Sequence, residues 1–341
     1  MSRAGAGAWT EPGAFPIAPG IHRLPLPLRD DGLKGVNVYA IEDGDGVALI
    51  DGGWAIPEAF DVLAASLNSI GYRPGDVTRT VVTHAHIDHY TLAVRLRTEY
   101  GAPVAVGRGE RDSLTWITGH GPRHGFQAAQ LLTAGAPQLA EYMSRKDPAA
   151  DPVAESWELP DVWLGEGEIK IGQRTLRVLE TPGHTQGHIV LWLEDEELLF
   201  SGDQILPHIT PSIGFESVPQ PQPLVSFLDS LGRVRQLPDA RLLPAHGPAD
   251  ARVHARIDEL VEHHRRRLDQ TRSAVARLAS ATAAEVAQEL PWTRHERTFA
   301  ELDLFNRTLA VTETRAHLAF LVHRGEVAAS ADDVVLYSVV A

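Results

Sequence analysis

Four residues in one short run could do chemistry together: His84, His86, Asp88 and His89, in His84-Ala85-His86-Ile87-Asp88-His89. The run follows Thr78–Thr83, a β-branched stretch that reads as a strand, and precedes residues 90–100, which read as a helix. A tight loop after a strand splays alternate side chains. His84 and His86 are therefore placed to converge on one cation, with Asp88 and His89 pointing to a neighbouring position. Imidazole and carboxylate without thiolate suit zinc, iron or manganese, and zinc is the first expectation. Three more acceptors recur in the same kind of place. His184 follows a strand at 175–180, Asp203 one at 197–200, and His246 one at 241–244, each beside a glycine (Gly183, Gly202, Gly247). Glycine-flexed loops at strand ends are where α/β proteins build sites.

The elements that must position these residues alternate. Ile21–Pro27 and Val36–Ile41 read as strands, the second joined to Val47–Ile50 through the Asp-Gly-Asp-Gly of Asp43–Gly46. Val47–Ile50 ends at Asp51-Gly52-Gly53, and residues 57–70 read as a helix stopping at Gly71. After strands at Thr78–Thr83 and Pro103–Val106, residues 109–150 interrupt the alternation as a mostly helical insertion. Its clearest pieces are Gln127–Leu139 and Ala140–Arg145, with a loop at Lys146–Pro152. Strands resume at Glu168–Ile171, Thr175–Glu180, Ile189–Leu193 and Glu197–Phe200. A Pro-rich loop, a helix at Leu224–Gln236 and a strand at Arg241–Pro244 follow. Beyond residue 250, helices at Ala251–Leu278, Thr282–Leu290 and Val311–Arg324 precede a hairpin of Val327–Ala329 with Val334–Val339, the outline of a winged helix. The expected layout is a loose tail over 1–20, an α/β domain over 21–250 containing the insertion, and a helical, winged-helix-like domain over 251–341.

Composition excludes whole classes. Cysteine is absent, which removes disulfides, thiolate metal sites, iron–sulfur clusters and cysteine nucleophiles, and makes the cytosol the expected compartment. The formal charge of −14 disfavours general nucleic-acid binding. Residues 252–341 hold twelve Arg, no Lys and thirteen acidic residues, so Arg265-Arg266-Arg267 is read as a solvated helix face. The first twenty residues hold no apolar run of signal-peptide length, and no stretch approaches a membrane span.

Taken in order, Asp51, the His84–His89 run, His184, Asp203 and His246 resemble the five motifs of the metallo-β-lactamase superfamily, over roughly residues 20–250. The resemblance implies a four-layer αβ/βα sandwich and two metal ions. It implies that His84, His86 and His184 ligate the first ion and Asp88, His89 and His246 the second. Asp203 would bridge them, and Asp51 would orient the loop from behind; without the family, Asp51 reads equally as a turn residue. Such a pair of cations shares a hydroxide that is nucleophilic at neutral pH, with Asp88 placed to accept its proton. The commonest zinc β-lactamases hold their second metal with a cysteine, whereas Asp203 stands in the fourth motif here. The expected activity is hydrolysis of a thioester, ester or lactone, on a small-molecule acyl substrate. An endonuclease or phosphodiesterase is the alternative, and a β-lactamase or a winged-helix nucleic-acid-binding module is less favoured.

Other residues carry two readings each. Tyr90 is a possible oxyanion donor or helix-start packing; His208 is a possible substrate contact. His188 reads as a structural hydrogen-bonding residue rather than a ligand, and His120 and His124 as exposed. Trp116, Phe126 and Met143 line an apolar pocket or pack the insertion on the body. The insertion itself is expected to cover the metal cleft, or to form a flap in a homodimer.

Overall fold

The structure, a computed structural model, describes residues 8–29, 32–119, 124–145, 157–293 and 296–340. His120 and the expected loop at 146–152 lie outside these residues. The chain builds two sheets. In the first, β1 (Phe15–Ala18), β2 (Ile21–Pro27), β3 (Gly35–Asp43) and β4 (Gly46–Ile50) are antiparallel neighbours. It continues in parallel through β5 (Val77–Val82), β6 (Val104–Gly107) and β7 (Val162–Leu164). The second runs β12 (Arg241–Pro244), β11 (Leu198–Gly202), β10 (Ile189–Leu193), β9 (Arg174–Glu180), β8 (Gly167–Ile171), with only β11 and β12 parallel.

The two-residue period of the strands sorts side chains into layers. On β3, Tyr39 and Ile41 enter the core between the sheets, against Ile189, Leu191 and Phe200. Val36, Val38 and Ala40 face the opposite way, toward α1 (Pro57–Ser69) and α2 (Ile87–Tyr100). On β10, Val190 and Trp192 turn outward to α6 (Pro223–Arg235), α7 (Val253–Leu278) and α9 (Leu304–His323). Helix, sheet, sheet, helix is the expected four-layer arrangement.

Several boundaries differ from expectation. The tail is not loose throughout: β1 pairs along β2, and Arg23 donates to the Trp9 carbonyl at 2.6 Å. The edge strand β7, only three residues long, carries no readable alternation. Helix α2 starts at Ile87 rather than 90, which puts Asp88 and His89 in its first turn. The piece read as Gln127–Leu139 is two helices, α4 (Gly125–Thr133) and α5 (Pro137–Arg145), preceded by α3 (Arg111–Thr118). The break falls at Gly135, whose φ of 77° no side chain adopts easily, and Pro137 opens the next helix. Helix α9 begins at Leu304, capped by Asp303, whose carboxylate accepts from the Asn306 N–H at 2.9 Å. After α7 come α8 (Ala283–Gln288), α9 and the pair β13 (Val327–Ala329) and β14 (Tyr337–Val339), in the expected order.

The insertion docks on the C-terminal helices. The Ala134 carbonyl accepts from the Ala284 N–H at 3.0 Å and the Thr133 carbonyl from the Val335 N–H at 2.9 Å. Met143 is fully buried in the cluster shared by α4, α5 and α9, so its packing reading holds.

Candidate metal centre

Every residue singled out for metal chemistry sits just past a strand end on one edge of the sandwich. Asp51 follows β4, the His84–His89 run follows β5, His184 follows β9, Asp203 follows β11 and His246 follows β12. The fold brings seven of them into two groups: His84, His86, His184 and Asp203, and Asp88, His89 and His246.

In the first group, His86 Nδ1 lies 2.9 Å from His84 Nε2 and 3.1 Å from His184 Nε2. In the second, Asp88 Oδ2 lies 3.6 Å from His89 Nε2 and 3.4 Å from His246 Nε2. Asp203 stands between them. Its Oδ2 is 3.5 Å from His184 Nε2, and its Oδ1 is 3.6 Å from His89 Nε2 and 3.4 Å from His246 Nε2.

Outer partners fix which nitrogen of each ring faces inward. The His184 Nδ1–H donates to the Ser212 carbonyl at 2.8 Å and the His246 Nδ1–H to the Gly35 carbonyl at 2.7 Å. His89 Nδ1 is 3.1 Å from Asp51 Oδ2. Thr83 connects His84 to the same carboxylate: its hydroxyl donates to Asp51 at 3.0 Å and accepts from His84 Nδ1 at 3.1 Å. The Thr83 N–H also donates to Asp51 Oδ1 at 2.7 Å. Asp51 is thus more than a turn residue, and it holds a left-handed φ of 60°, strain of the kind found where a site is over-determined by its surroundings.

The donor set fits divalent cations. His89 Nε2 and His246 Nε2 are buried and face the buried Asp203 Oδ1 at 3.6 and 3.4 Å, with no hydrogen bond of ordinary length to any of the three among the described residues, a costly state that a shared cation relieves. Burial and the neighbouring His184 ring push His86 down to about 3, and burial chiefly lowers His184 to about 4, so both are neutral ligands near pH 7. In the second group burial opposes the charged rings, but Asp88, Asp51 and Asp203 together outweigh it and raise His89 to about 10. Burial likewise works to raise Asp88, yet His89 and His246 hold it well below the usual carboxylate range. Without a cation, protons supply the positive charge those carboxylates require.

Tyr90 sits in the packing position its second reading gave it. Its hydroxyl donates to the Glu158 carbonyl at 2.8 Å and its buried ring stacks on Trp157. His188 has both nitrogens engaged, with Thr181 Oγ1 at 2.9 Å and the Asp203 N–H at 3.2 Å, so it supports the Asp203 loop and offers no free nitrogen to a cation. His208 is exposed on the loop after Asp203 and belongs to neither group. His124 is half-buried beside Phe215 rather than exposed, and the Trp116 and Phe126 rings meet at 4.7 Å.

Two carboxyls in this neighbourhood were not legible in the sequence. Glu110 and Glu216 are buried on either side of the loop that follows His184. Glu110 accepts from the Thr185 hydroxyl and from the Ala85 and Gly187 N–H groups; Glu216 accepts from the Gln186 N–H at 2.6 Å and from Gln220. Together they tie the His184 loop to the His84 loop, a role visible only once distant segments meet. Burial pushes Glu110 up to about 7 and Glu216 up to about 8. The folded protein therefore keeps protons that the unfolded chain releases near 4.5. Stability contributed by these groups must fall as pH rises from the unfolded value of 4.5 to about 7 for Glu110 and about 8 for Glu216, and then level off. Denaturant titration of Glu110→Gln/Glu216→Gln against the wild type should show their stability difference shifting in the variant's favour by about 2 kcal/mol or more between about pH 6 and about pH 9. A difference independent of pH would contradict the burial account.

Comparison with known proteins agrees with the geometry. The family profile described as the metallo-beta-lactamase superfamily matches residues 31–246. The chain is 28% identical to the probable metallo-hydrolase YqjP of Bacillus subtilis (strain 168) over 306 residues, covering 88% of this chain and 90% of that one. It is 27% identical over 173 residues to the atrochrysone carboxyl ACP thioesterase AgnL7 of Paecilomyces divaricatus, covering 48% and 52% of the two chains. Among solved structures, a metallo-beta-lactamase family protein of Thermus thermophilus superposes with a TM-score of 0.80 at 28% identity, over 95% of this chain and 100% of its own. A profile spanning β3 through His246, and so all of the His/Asp groups, establishes that the chain belongs to the metallo-β-lactamase superfamily and is a metallo-hydrolase of that family.

Proposed function

We propose that the protein is a binuclear hydrolase, zinc being its native ion, that cleaves a thioester, ester or lactone in the cytoplasm. The observation that carries this reading is the Asp203 carboxylate, which offers one oxygen to each of the two ligand groups. His84, His86 and His184 would hold one cation, Asp88, His89 and His246 the other, with Asp203 between. Bound there, the ions supply Lewis acidity and lower the pKa of water toward neutrality. The chain's own residues do the rest. Ser212, Gly35, Thr83 and Asp51 hold the imidazoles in register. Asp88, the more exposed carboxylate of the two (12% against 8% for Asp203), stays ionised and receives the proton of the attacking water.

An acyl substrate is favoured over a polynucleotide by the −14 charge. The basic run points the same way, since Arg265 is already paired with Glu262 and Asp269. The likeness to a protein named as an ACP thioesterase supports the thioester class. Residues 251–341 are read as a winged-helix-like domain without a nucleic-acid role, and the insertion as a wall over the cleft or a homodimer contact. Among the described residues no helix is long and apolar enough to cross a membrane.

The reading is tested by assaying the zinc-reconstituted protein on acyl-thioester, aryl-ester, lactone, β-lactam and phosphodiester substrates. Hydrolysis of at least one acyl substrate is expected, with Asp88→Ala slower by about a hundredfold or more and its circular dichroism unchanged. Turnover of phosphodiesters alone, or wild-type rates in Asp88→Ala, would overturn it.

A further inference from the structure

Away from the two ligand groups, α4, α9, β14 and the loop before α6 enclose a half-open cleft of about 210 Å³. Pro219, Pro221, Pro223, Ala316 and Ala319 give it an apolar wall. Gln130, Gln220, Thr312, Arg315 and Tyr337 add polar side chains, and no carboxylate lines it.

Among the described residues, Arg315 and Tyr337 lack the partners such groups ordinarily have. Along the C-terminal helices, Arg265, Arg272, Arg277 and Arg324 each face a carboxylate. Arg315 is half-buried, yet among the described residues it makes no ion pair or hydrogen bond. Tyr337 is 6% exposed and its hydroxyl has no hydrogen bond among the described residues, while its ring lies within the electrostatic reach of Arg315. Arg315 and the Tyr337 hydroxyl are thus donors at one cleft without an acceptor among the described residues, an arrangement that an acceptor ligand completes.

We propose that this cleft binds a small monocarboxylate with an apolar body. The guanidinium presents parallel N–H groups that match the two oxygens of a carboxylate, and the tyrosine hydroxyl adds a third donor. One positive charge balances one carboxylate. A dianionic phosphate would leave a negative charge uncompensated in a protein already at −14. The proline and alanine wall takes the ligand's hydrocarbon portion. The inference does not depend on the hydrolytic reading, because none of its residues belongs to the ligand groups.

The test is calorimetric titration of the full-length, zinc-loaded protein with sodium hexanoate at constant ionic strength, with inorganic phosphate as a second arm. Saturable hexanoate binding is expected in the wild type and in the control Arg272→Gln. Arg315→Gln should weaken it about tenfold or more, and Tyr337→Phe severalfold. Arg315→Lys keeps the charge without the fork and should also bind severalfold more weakly, which decides the matter if Arg315→Gln fails to fold. No hexanoate binding to the wild type, or affinity unchanged in the Arg315 variants, would overturn the site. Phosphate binding as tightly as hexanoate, in a manner sensitive to Arg315, would overturn the carboxylate assignment.

Discussion

Asp203→Ala is expected to leave the purified protein folded, with no more than one metal ion per chain and turnover reduced about a thousandfold or more. The residue offers an oxygen to each group, so its loss removes a ligand from both at once. His246 then keeps only Asp88 as a facing carboxylate and His89 keeps Asp88 and Asp51, so the second cation loses a ligand and a compensating charge together. Stabilisation of several kcal/mol in the transition state depends on the paired charges, and each 1.4 kcal/mol or so is a factor of ten. The fold survives because the Asp203 backbone N–H, not its side chain, makes the contact to His188. Elemental analysis and steady-state rates on the same sample check both parts. Two ions per chain in the variant would mean that Asp203 does not bridge.

Gly183→Ala is expected to act as strongly by a different route. The residue holds a φ of 145°, and a Cβ there would lie 2.4 Å from the Cα of Phe227, inside α6. Neither side can yield cheaply, because both are backbone. Strain and overpacking together cost about 3 kcal/mol or more. Any relief obtained by moving the loop displaces His184 from His86 and from the Ser212 carbonyl. Urea unfolding should show the loss of stability, and metal content should fall with it. A variant as stable as the wild type with full metal content would contradict the packing of this loop on α6.

The centre was readable in the sequence to the extent that its ligands are strand-end residues next to glycine. Short apolar runs in β4, β11 and β12 locate strand ends, and the five motifs then fall in order. What holds the ligands was not readable. Ser212, Gly35 and Glu110 act across sequence separations that no local pattern encodes, two of them through backbone carbonyls that any residue would supply. Thr83 was the one accessible clue, a hydroxyl directly before the His84 run. Tyr90 carried two readings, and packing is the one the structure supports. A tyrosine after a metal loop suggests an oxyanion donor, but α2 begins three residues earlier than its apolar pattern indicates, and the helix turns the ring away onto Trp157. The same competition between local pattern and tertiary demand explains β1 and the break at Gly135. The first is an edge strand that exists because β2 templates it, and the second is a helix interrupted so that α4 and α5 can both reach α9.

The central claim is that two ligand groups share one carboxylate and hold two cations. Metal analysis of the wild-type chain, loaded with excess zinc and freed of unbound ion, tests it most directly. The account predicts about two ions per chain, because seven inward-facing ligand residues exceed what one tetrahedral ion can use. Trace metal, or a ceiling of one ion per chain under saturating zinc, would contradict it.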